Sequence, residues 1–198
     1  MVTPAGLLLF HGAGGDRDHR LFTHLEAALD LPVGRCNFPY REKGPGRRPP
    51  DAMPKLIESI RDRVGQHSEA WGVDPDHLIL GGRSMGGRAA SMAVADGLGA
   101  AGLVLLSYPL HPPGKPDKLR TEHFGELRLP VLLVQGQSDP FGKKQEFDLH
   151  TGAIRGPLTE VWLDKTGHDP KEKHDEAITT AVRSWIATLG ARDRDRRG

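Results

Sequence analysis

The stretch Gly82-Arg83-Ser84-Met85-Gly86 has the pattern Gly-x-Ser-x-Gly and decides how this 198-residue chain is interpreted. It follows the apolar run Leu78-Ile79-Leu80, which is typical of a buried strand, and precedes an alanine-rich helical segment, residues 88–95. A serine on a sharp strand-to-helix turn projects from the sheet edge, and flanking glycines let neighbouring backbone pass close by. The pattern predicts a nucleophile at Ser84. A glycine-rich turn with a structural or phosphate-contacting serine is the alternative.

Five other short apolar runs also have the character of buried strands. They are residues 6–10, 34–38, 103–106, 131–134 and 161–163. Segments with helical periodicity stand between or after them, at 21–29, 53–64 and 178–189. Alternating strands and helices are typical of βα units, in which helices connect the strands of a parallel sheet. The sequence therefore predicts an α/β fold.

The composition is that of one turn-rich globular domain. The 198 residues include 25 glycines and 16 prolines, and much of the glycine stands at the ends of apolar runs. With 27 basic and 26 acidic residues the formal net charge is +1, which argues against a dedicated nucleic-acid-binding protein. We predict one domain over residues 1–190, followed by a charged flexible tail at 191–198.

Missing features disfavour other classes of protein. The single cysteine, Cys36, excludes an intramolecular disulfide and any multi-cysteine metal site. No apolar stretch approaches the roughly 18 to 20 residues that span a bilayer. The first residues also lack the basic and apolar regions of a signal peptide. We therefore expect a cytoplasmic protein that does not associate with membranes.

A serine nucleophile needs a base, and the base needs a group that orients it. Where the serine lies on such a turn, the acid and then the histidine follow it along the chain. His168 follows the last strand run, residues 161–163, after a glycine and ahead of the closing helix. His150 and His174 fall instead within predicted helical segments. His168 is therefore the predicted base.

The predicted acid is Asp139, which stands in the loop just past the strand run 131–134. Three other acids are helical or too near His168 in sequence to come from a separate strand: Asp148, Asp164 and Asp169. Active sites of open parallel sheets lie at the carboxyl ends of the strands. We expect Ser84, Asp139 and His168 to meet at that edge.

The stretch His11-Gly12-Ala13-Gly14-Gly15 follows the first strand run. A tetrahedral intermediate needs at least two donors aimed at its oxyanion. We predict the backbone N–H groups of Ala13 and Met85, with His11 as a structural residue that orders the loop. A phosphate-binding loop is the alternative, but the lysine and Ser/Thr of a P-loop and the third glycine of a dinucleotide fingerprint are missing.

Four arginines lie near this predicted site in the sequence: Arg83 beside the nucleophile, and Arg41, Arg47 and Arg48 in a basic, proline-rich loop. Arg83 and Arg41 are candidates for a substrate rim that attracts carboxylate or phosphate. In the alternative interpretation, Arg83 pairs with a carboxylate beneath the turn and the loop arginines are simply solvated.

Four motifs together resemble the α/β-hydrolase superfamily, and they occur in its order over residues 5–189. They are His-Gly-Ala-Gly-Gly at 11–15, Gly-Arg-Ser-Met-Gly-Gly at 82–87, Gly-Gln-Ser-Asp-Pro at 136–140 and Thr-Gly-His-Asp at 166–169. Further stretches, at 37–40, 82–88 and 107–110, resemble the small group related to a histone-acetyltransferase-complex subunit and a testis-expressed protein. The chain is also similar to the dienelactone-hydrolase-like set, although Ser84 stands where dienelactone hydrolases proper carry cysteine.

This resemblance implies a three-layer α/β/α sandwich with about six mostly parallel strands, lacking the superfamily's first two. It implies Ser84 as nucleophile, Asp139 as acid and His168 as base. Where many relatives insert a lid, this chain has only residues 108–127. We therefore expect no substantial lid and an open site that favours small or polar esters over long-chain lipids.

The sequence leads to one principal hypothesis and one alternative. The first is a serine hydrolase that cleaves a small-molecule carboxylic ester, or a related acyl bond, through an acyl-enzyme, with no cofactor or metal. The alternative is an interaction module on the same fold with weak or absent catalysis, because a fold alone does not decide function. The sequence leaves the oligomeric state open.

Overall fold

The computed structural model describes residues 3–43 and 48–194, and its centre is one sheet of six parallel strands. The strands are β1 (Gly6–Phe10), β2 (Val33–Cys36), β3 (Leu78–Arg83), β4 (Gly102–Leu106), β5 (Val131–Gly136) and β6 (Leu158–Leu163). They are ordered β2-β1-β3-β4-β5-β6, and every neighbouring pair is parallel. The expected sheet of about six mostly parallel strands is confirmed.

Within these described ranges, six α-helices connect or follow the strands. They are α1 (Arg20–Ala28), α2 (Pro39–Glu42), α3 (Met53–Trp71), α4 (Met85–Ala95), α5 (Lys144–His150) and α6 (Asp175–Arg194). Between β4 and β5 the chain forms one turn of 3-10 helix, Phe124–Glu126, and no cap of helices. The expected absence of a substantial lid is confirmed for this connection.

Two apolar clusters lie on the two faces of the sheet, where the helices pack against the strands. On β1, Leu8 and Phe10 belong to one cluster and Leu7 and Leu9 to the other, because successive strand side chains point to opposite faces. Buried residues of α3 and α4 complete the first cluster, and those of α1 and α6 complete the second. The protein is therefore the three-layer α/β/α sandwich that the sequence implied.

Several element boundaries differ from the sequence prediction, each for a local reason. Helix α4 begins at Met85 rather than near residue 88, because the turn at Ser84 leads directly into it. Strand β6 begins at Leu158 rather than 161, since this edge strand is only partly buried and carries polar residues that interrupt an apolar run. Helix α6 continues to Arg194, so residues 191–194 are helical where a flexible tail was predicted. A glycine costs a helix only about 1 kcal/mol, so Gly190 does not end it.

The rest of the predicted tail, residues 195–198, lies outside the described residues. Over residues 3–43 and 48–194, no helix is both long enough and apolar enough to cross a membrane.

Close packing of α4 against β1 requires glycine at the start of that helix. A Cβ at Gly86 would lie 2.0 Å from the backbone oxygen of Phe10, and one at Gly82 would lie 2.1 Å from the same atom. Real Cβ atoms do not approach backbone oxygens so closely. The two outer glycines of the Gly-x-Ser-x-Gly pattern thus bring the helix against the sheet and set the position of Ser84.

Gly86→Ala is therefore expected to lower the free energy of unfolding by about 3 kcal/mol or more, because backbone must shift to relieve the clash. Urea denaturation followed by far-UV circular dichroism measures the change. Gly65→Ala is the matched control: a methyl group on this exposed glycine of α3 would have no other atom within 4 Å beyond its own helix backbone and chain neighbours. It should raise stability by about 0.5 to 1 kcal/mol. Equal stability of Gly86→Ala and wild type would contradict this account of the packing.

Candidate active site

Ser84 occupies a sharp turn between β3 and α4 with an unusual backbone conformation. Its φ is 52° and its ψ is −117°, a region that non-glycine residues rarely adopt. Its N–H donates to the Leu106 carbonyl at 2.9 Å, and its carbonyl accepts from Arg88 N–H at 3.0 Å. A strained backbone conformation persists only where surrounding contacts hold it. Here the hydrogen bonds to β4 and to α4 do so. The turn leaves the hydroxyl at the carboxyl edge of the sheet.

His168 lies in the loop after β6 and joins Ser84 to Asp139. Its Nε2 is 2.8 Å from Ser84 Oγ, and its Nδ1 is 2.8 Å from Asp139 Oδ2. A carboxylate oxygen only accepts, so Nδ1 carries the proton and Nε2 is left to accept from the serine hydroxyl. The structure thus brings together the three residues that the sequence predicted, in the order needed to move a proton off Ser84.

Asp139 is fully buried, and every hydrogen bond it makes suits an ionised carboxylate. Besides His168, its Oδ2 accepts from Gln135 Nε2 at 2.7 Å, and its Oδ1 accepts from the Phe141 N–H at 2.8 Å. Gln135 was missed by the sequence interpretation. Its signal was a polar residue inside the otherwise apolar strand β5, a position that requires a buried polar partner.

Three of the alternative acids and histidines have partners elsewhere. Asp148 pairs with Lys144 along α5, and Asp169 pairs with Arg83. His174 contacts the Thr166 hydroxyl at 3.0 Å rather than Ser84. These contacts leave His168 and Asp139 as the pair that faces Ser84.

Phe141 is a second residue that the sequence interpretation missed. Its ring stacks on the His168 imidazole, with 4.0 Å between centroids and 29° between planes. The backbone N–H of Phe141 also binds Asp139, so one residue contacts both the base and the acid. The stack limits rotation of the imidazole and excludes water from one of its faces.

The loop after β1 is held by His11, which is buried. His11 Nδ1 lies 2.8 Å from the Gly12 carbonyl oxygen, and its Nε2 accepts from the Phe38 N–H at 3.2 Å. The Gly12 oxygen also accepts from Gly15 N–H at 3.0 Å. Because the carbonyl of Gly12 and the N–H of Ala13 belong to one planar peptide and point in opposite directions, these bonds also orient the Ala13 N–H.

Helix α2 supports the same loop from the other side. The Tyr40 hydroxyl donates to the Ala13 carbonyl at 3.1 Å. Arg41 donates from Nε to Gly15 at 2.7 Å and from Nη2 to Gly14 at 2.8 Å. The sequence suggested Arg41 for a substrate rim, but its guanidinium instead binds loop carbonyls. These bonds fix the backbone of the loop that carries the Ala13 N–H.

The two N–H groups predicted to bind an oxyanion have no protein acceptor. Over the part of the chain that the structure describes, neither the Ala13 N–H nor the Met85 N–H donates to another residue. Met85 is the first residue of α4, where the helix dipole also favours negative charge. The two groups stand on the loop and helix that flank Ser84, as an oxyanion site requires.

His11 makes the stability of this loop depend on pH. Burial lowers the pKa of His11, which fits its bonding, because a protonated Nε2 could not accept from the Phe38 N–H. The unfolded chain therefore binds a proton on His11 more readily than the folded protein does. The part of the free energy of unfolding that depends on neutral His11 is fully present above about pH 6.5 and is lost as the pH falls.

We expect the wild-type free energy of unfolding to fall between pH 7 and pH 5, and that of His11→Gln to fall less. At pH 7 the variant should be less stable by about 1 to 3 kcal/mol, because it leaves buried partners unsatisfied. Urea titrations at the two pH values measure both effects. An equally steep fall in His11→Gln would contradict the interpretation.

The Arg83 side chain is largely buried beside the His168 loop. Its Nη2 donates to the His168 carbonyl at 3.0 Å and pairs with Asp169 at 2.9 Å. Burial lowers the pKa of the guanidinium, and the Asp169 carboxylate partly offsets this. Arg83 thus holds the loop that carries the base. Its guanidinium is engaged there and does not line an open substrate rim. Of the loop arginines, Arg48 donates to the Lys43 carbonyl, and position 47 lies outside the described residues.

A parallel sheet with a serine on its central strand-to-helix turn, next to a histidine and a buried acid, defines the architecture of an α/β-type hydrolase. The family model described as "Alpha/beta hydrolase domain" matches residues 3–189, and the chain belongs to that family.

Solved structures show the same fold at low sequence identity. Est1E from Butyrivibrio proteoclasticus, in a structure with ferulic acid bound, gives a TM-score of 0.79 at 16% identity, over 95% of this chain and 90% of that chain. Paleococcus ferrophilus monoacylglycerol lipase gives 0.73 at 16% identity, over 94% and 96%. An alpha-beta serine hydrolase homologue from Coxiella burnetii gives 0.66 at 19% identity, over 94% and 85%.

Proposed function

We propose that this protein is a serine hydrolase that cleaves small or polar carboxylic esters through an acyl-enzyme. The observation that carries the proposal is the continuous hydrogen-bonded chain from Ser84 Oγ through His168 to Asp139, with 2.8 Å at each step. This chain joins residues from three separate loops, after β3, β5 and β6. Two unbonded backbone N–H groups beside the serine, in the described part of the chain, add the oxyanion site that the reaction requires.

The reaction follows from this geometry. Ser84 Oγ attacks the ester carbonyl carbon while its proton passes to His168 Nε2, and the carbonyl electron pair moves onto oxygen. The N–H groups of Ala13 and Met85 stabilise that oxyanion, and Asp139 stabilises the imidazolium. When the carbonyl re-forms, the alcohol leaves with the proton from His168, and the acyl group remains on Ser84. Water then attacks the acyl-enzyme with the same proton transfers and releases the acid.

The preference for small or polar esters rests on the short connection between β4 and β5. This connection contains one helical turn and no cap of helices that could cover Ser84. Long acyl chains gain affinity mainly by burying apolar surface, about 25 cal/mol per Å², and an open edge offers little of it. The name of one structural neighbour, a monoacylglycerol lipase, supports ester chemistry in general terms.

A panel of 4-nitrophenyl esters tests the proposal. We expect hydrolysis of the acetyl and butyryl esters, with kcat/KM rising by less than about threefold from butyryl to octanoyl and longer chains, because methylenes that stay in water add no binding free energy. Release of 4-nitrophenolate, followed by its visible absorbance, is the measurement, with enzyme-free and heat-denatured samples as controls. A clear preference for long chains would contradict the open-site argument. No hydrolysis of any ester by the folded protein would favour the interaction-module hypothesis instead.

A further inference from the structure

Two arginines on the segments that follow Ser84 and its neighbouring strand β4, Arg88 and Arg120, have no place in the mechanism above. Arg88 lies on the first turn of α4, and its N–H donates to the Ser84 carbonyl at 3.0 Å. Helical side chains lean toward the helix N-terminus, which for Arg88 is the direction of the nucleophile. Arg120 lies in the connection between β4 and β5, which starts beside Ser84, since Leu106 accepts from the Ser84 N–H.

Hydrogen bonds hold this connection against α4. His123 Nε2 lies 2.7 Å from Ser91 Oγ, and Ser91 Oγ donates to the Arg88 carbonyl at 2.9 Å. The buried Tyr108 donates its hydroxyl to the Arg120 carbonyl at 2.6 Å. The same polar cluster therefore fixes the backbone at both arginines and brings the two residues to one side of the nucleophile helix.

The charges of the two guanidiniums are not matched by acids. Within residues 3–43 and 48–194, neither Arg88 nor Arg120 forms an ion pair, whereas Arg83 and Arg20 do. Arg88 Nε is buried and has no hydrogen-bond partner in the same part of the chain. The Arg120 guanidinium has one long contact with a neutral acceptor, 3.5 Å from its Nη1 to the Pro109 carbonyl. The nearby Glu122 is exposed and forms no ion pair with either arginine there.

The unpaired positive charge of Arg88 shifts the pKa values of neighbouring groups. Burial, and then the positive charge of Arg88, lower the pKa of the Arg120 guanidinium. The same two causes lower the pKa of His123 to about 4, so its ring is neutral at pH 7. Two like charges placed together at a partly buried site disfavour the folded state unless an anion joins them. This arrangement is therefore costly for a purely structural cluster and well suited to binding an anion.

We propose that Arg88 and Arg120 form a subsite for an ionised carboxylate of the substrate, so that the preferred esters carry a second, free carboxylate. This inference rests on the proposed function, since it names the substrate class of the same site. Guanidinium groups match a planar carboxylate through paired N–H donors, which makes arginine suited to such recognition. The position one helical turn from Ser84 fits a short spacer between the carboxylate and the scissile ester.

Two pairs of esters with matched sizes test the subsite. One places the charge on the acyl side, 4-nitrophenyl hemisuccinate against 4-nitrophenyl butyrate, and the other on the alcohol side, 4-carboxyphenyl butyrate against phenyl butyrate. We expect kcat/KM to favour the charged member of at least one pair by about 10- to 100-fold. Arg88→Gln and Arg120→Gln should each lower that ratio by about tenfold or more, and Arg88→Lys by less.

Arg128→Gln is the matched control, since this exposed arginine precedes β5 at the opposite edge of the sheet and should leave the ratio unchanged. Equal kcat/KM within both ester pairs would overturn the subsite, as would a preference that survives both glutamine variants. Hydrolysis of the neutral esters in that case would leave the proposed function standing.

Calorimetry tests the subsite without catalysis. In the Ser84→Ala background, at least one of two charged amides should bind at least about tenfold more tightly than the neutral N-phenylbutyramide, and Arg88→Gln should remove the difference. The two are N-phenylsuccinamic acid, with its carboxylate on the acyl side, and 4-butyramidobenzoic acid, with its carboxylate on the ring. If wild type hydrolyses no ester but this charge-dependent binding is present, the proposed function fails and the subsite stands. Equal binding of all three amides, or a difference that persists in Arg88→Gln, overturns the subsite.

Discussion

Ser84→Ala is expected to lower kcat for ester hydrolysis by about 10⁴-fold or more, with little change in folding. Alanine removes the oxygen that attacks the ester, and the oxyanion donors and binding contacts retain only a small residual rate. The contact between the Ser84 hydroxyl and His168 is only partly buried, so its loss should cost little stability. Steady-state kinetics on 4-nitrophenyl butyrate and thermal melts measure the two effects.

Ser107→Ala provides a matched control, because Ser107 also has a positive φ, 49°, and follows the neighbouring strand β4. Ser107 Oγ makes no contact with His168, and we expect kcat within about threefold of wild type. A Ser84→Ala enzyme that kept more than about a tenth of the wild-type kcat would show that another group performs the reaction.

Asp139→Asn is expected to lower kcat by about 10³- to 10⁴-fold while the fold is retained. The buried carboxylate accepts from His168, Gln135 and Phe141, and it carries the negative charge that stabilises the imidazolium. An asparagine has one acceptor oxygen and must present its NH₂ to one of these donors. The His168 ring then adopts the wrong tautomer or orientation, and Nε2 no longer accepts the serine proton.

The measurement separates this effect from simple misfolding. KM should change much less than kcat, and near-UV circular dichroism should match wild type. Asp148→Asn, which removes only the exposed pair with Lys144 on α5, should leave kcat unchanged. Unchanged kcat in Asp139→Asn would mean that another acid orients His168.

The sequence alone was sufficient to predict that Ser84, Asp139 and His168 lie together, and the reason is topological. Parallel strands end at one edge of a sheet, so polar residues that follow apolar runs are brought together regardless of their separation in sequence. Ser84, Asp139 and His168 each follow such a run. The same reasoning predicted the sheet, since continuous apolar runs are typical of strands covered on both faces.

Contacts made by long or isolated side chains could not be predicted in this way. Arg83 and Arg41 stand near the site in sequence, yet whether each meets substrate, solvent or backbone depends on tertiary distances that no local pattern encodes. In the structure, both side chains donate hydrogen bonds to backbone carbonyls of loops. Phe141 carried no signal at all, because a single aromatic residue in a loop has no periodicity. Gln135 did carry one, as a polar residue within a buried strand.

Labelling with a fluorophosphonate, followed by peptide mass spectrometry, tests the central claim most directly. Phosphorus bonds to the serine oxygen as fluoride leaves, but only at an activated serine. Trypsin cleaves after Arg83 and Arg88, so the target is the five-residue peptide Ser84-Met85-Gly86-Gly87-Arg88, in which Ser84 is the one serine. We predict one adduct per chain on this peptide, blocked by Ser84→Ala and greatly slowed by Asp139→Asn. An adduct on another serine, or no adduct on the folded wild-type protein, would contradict the account.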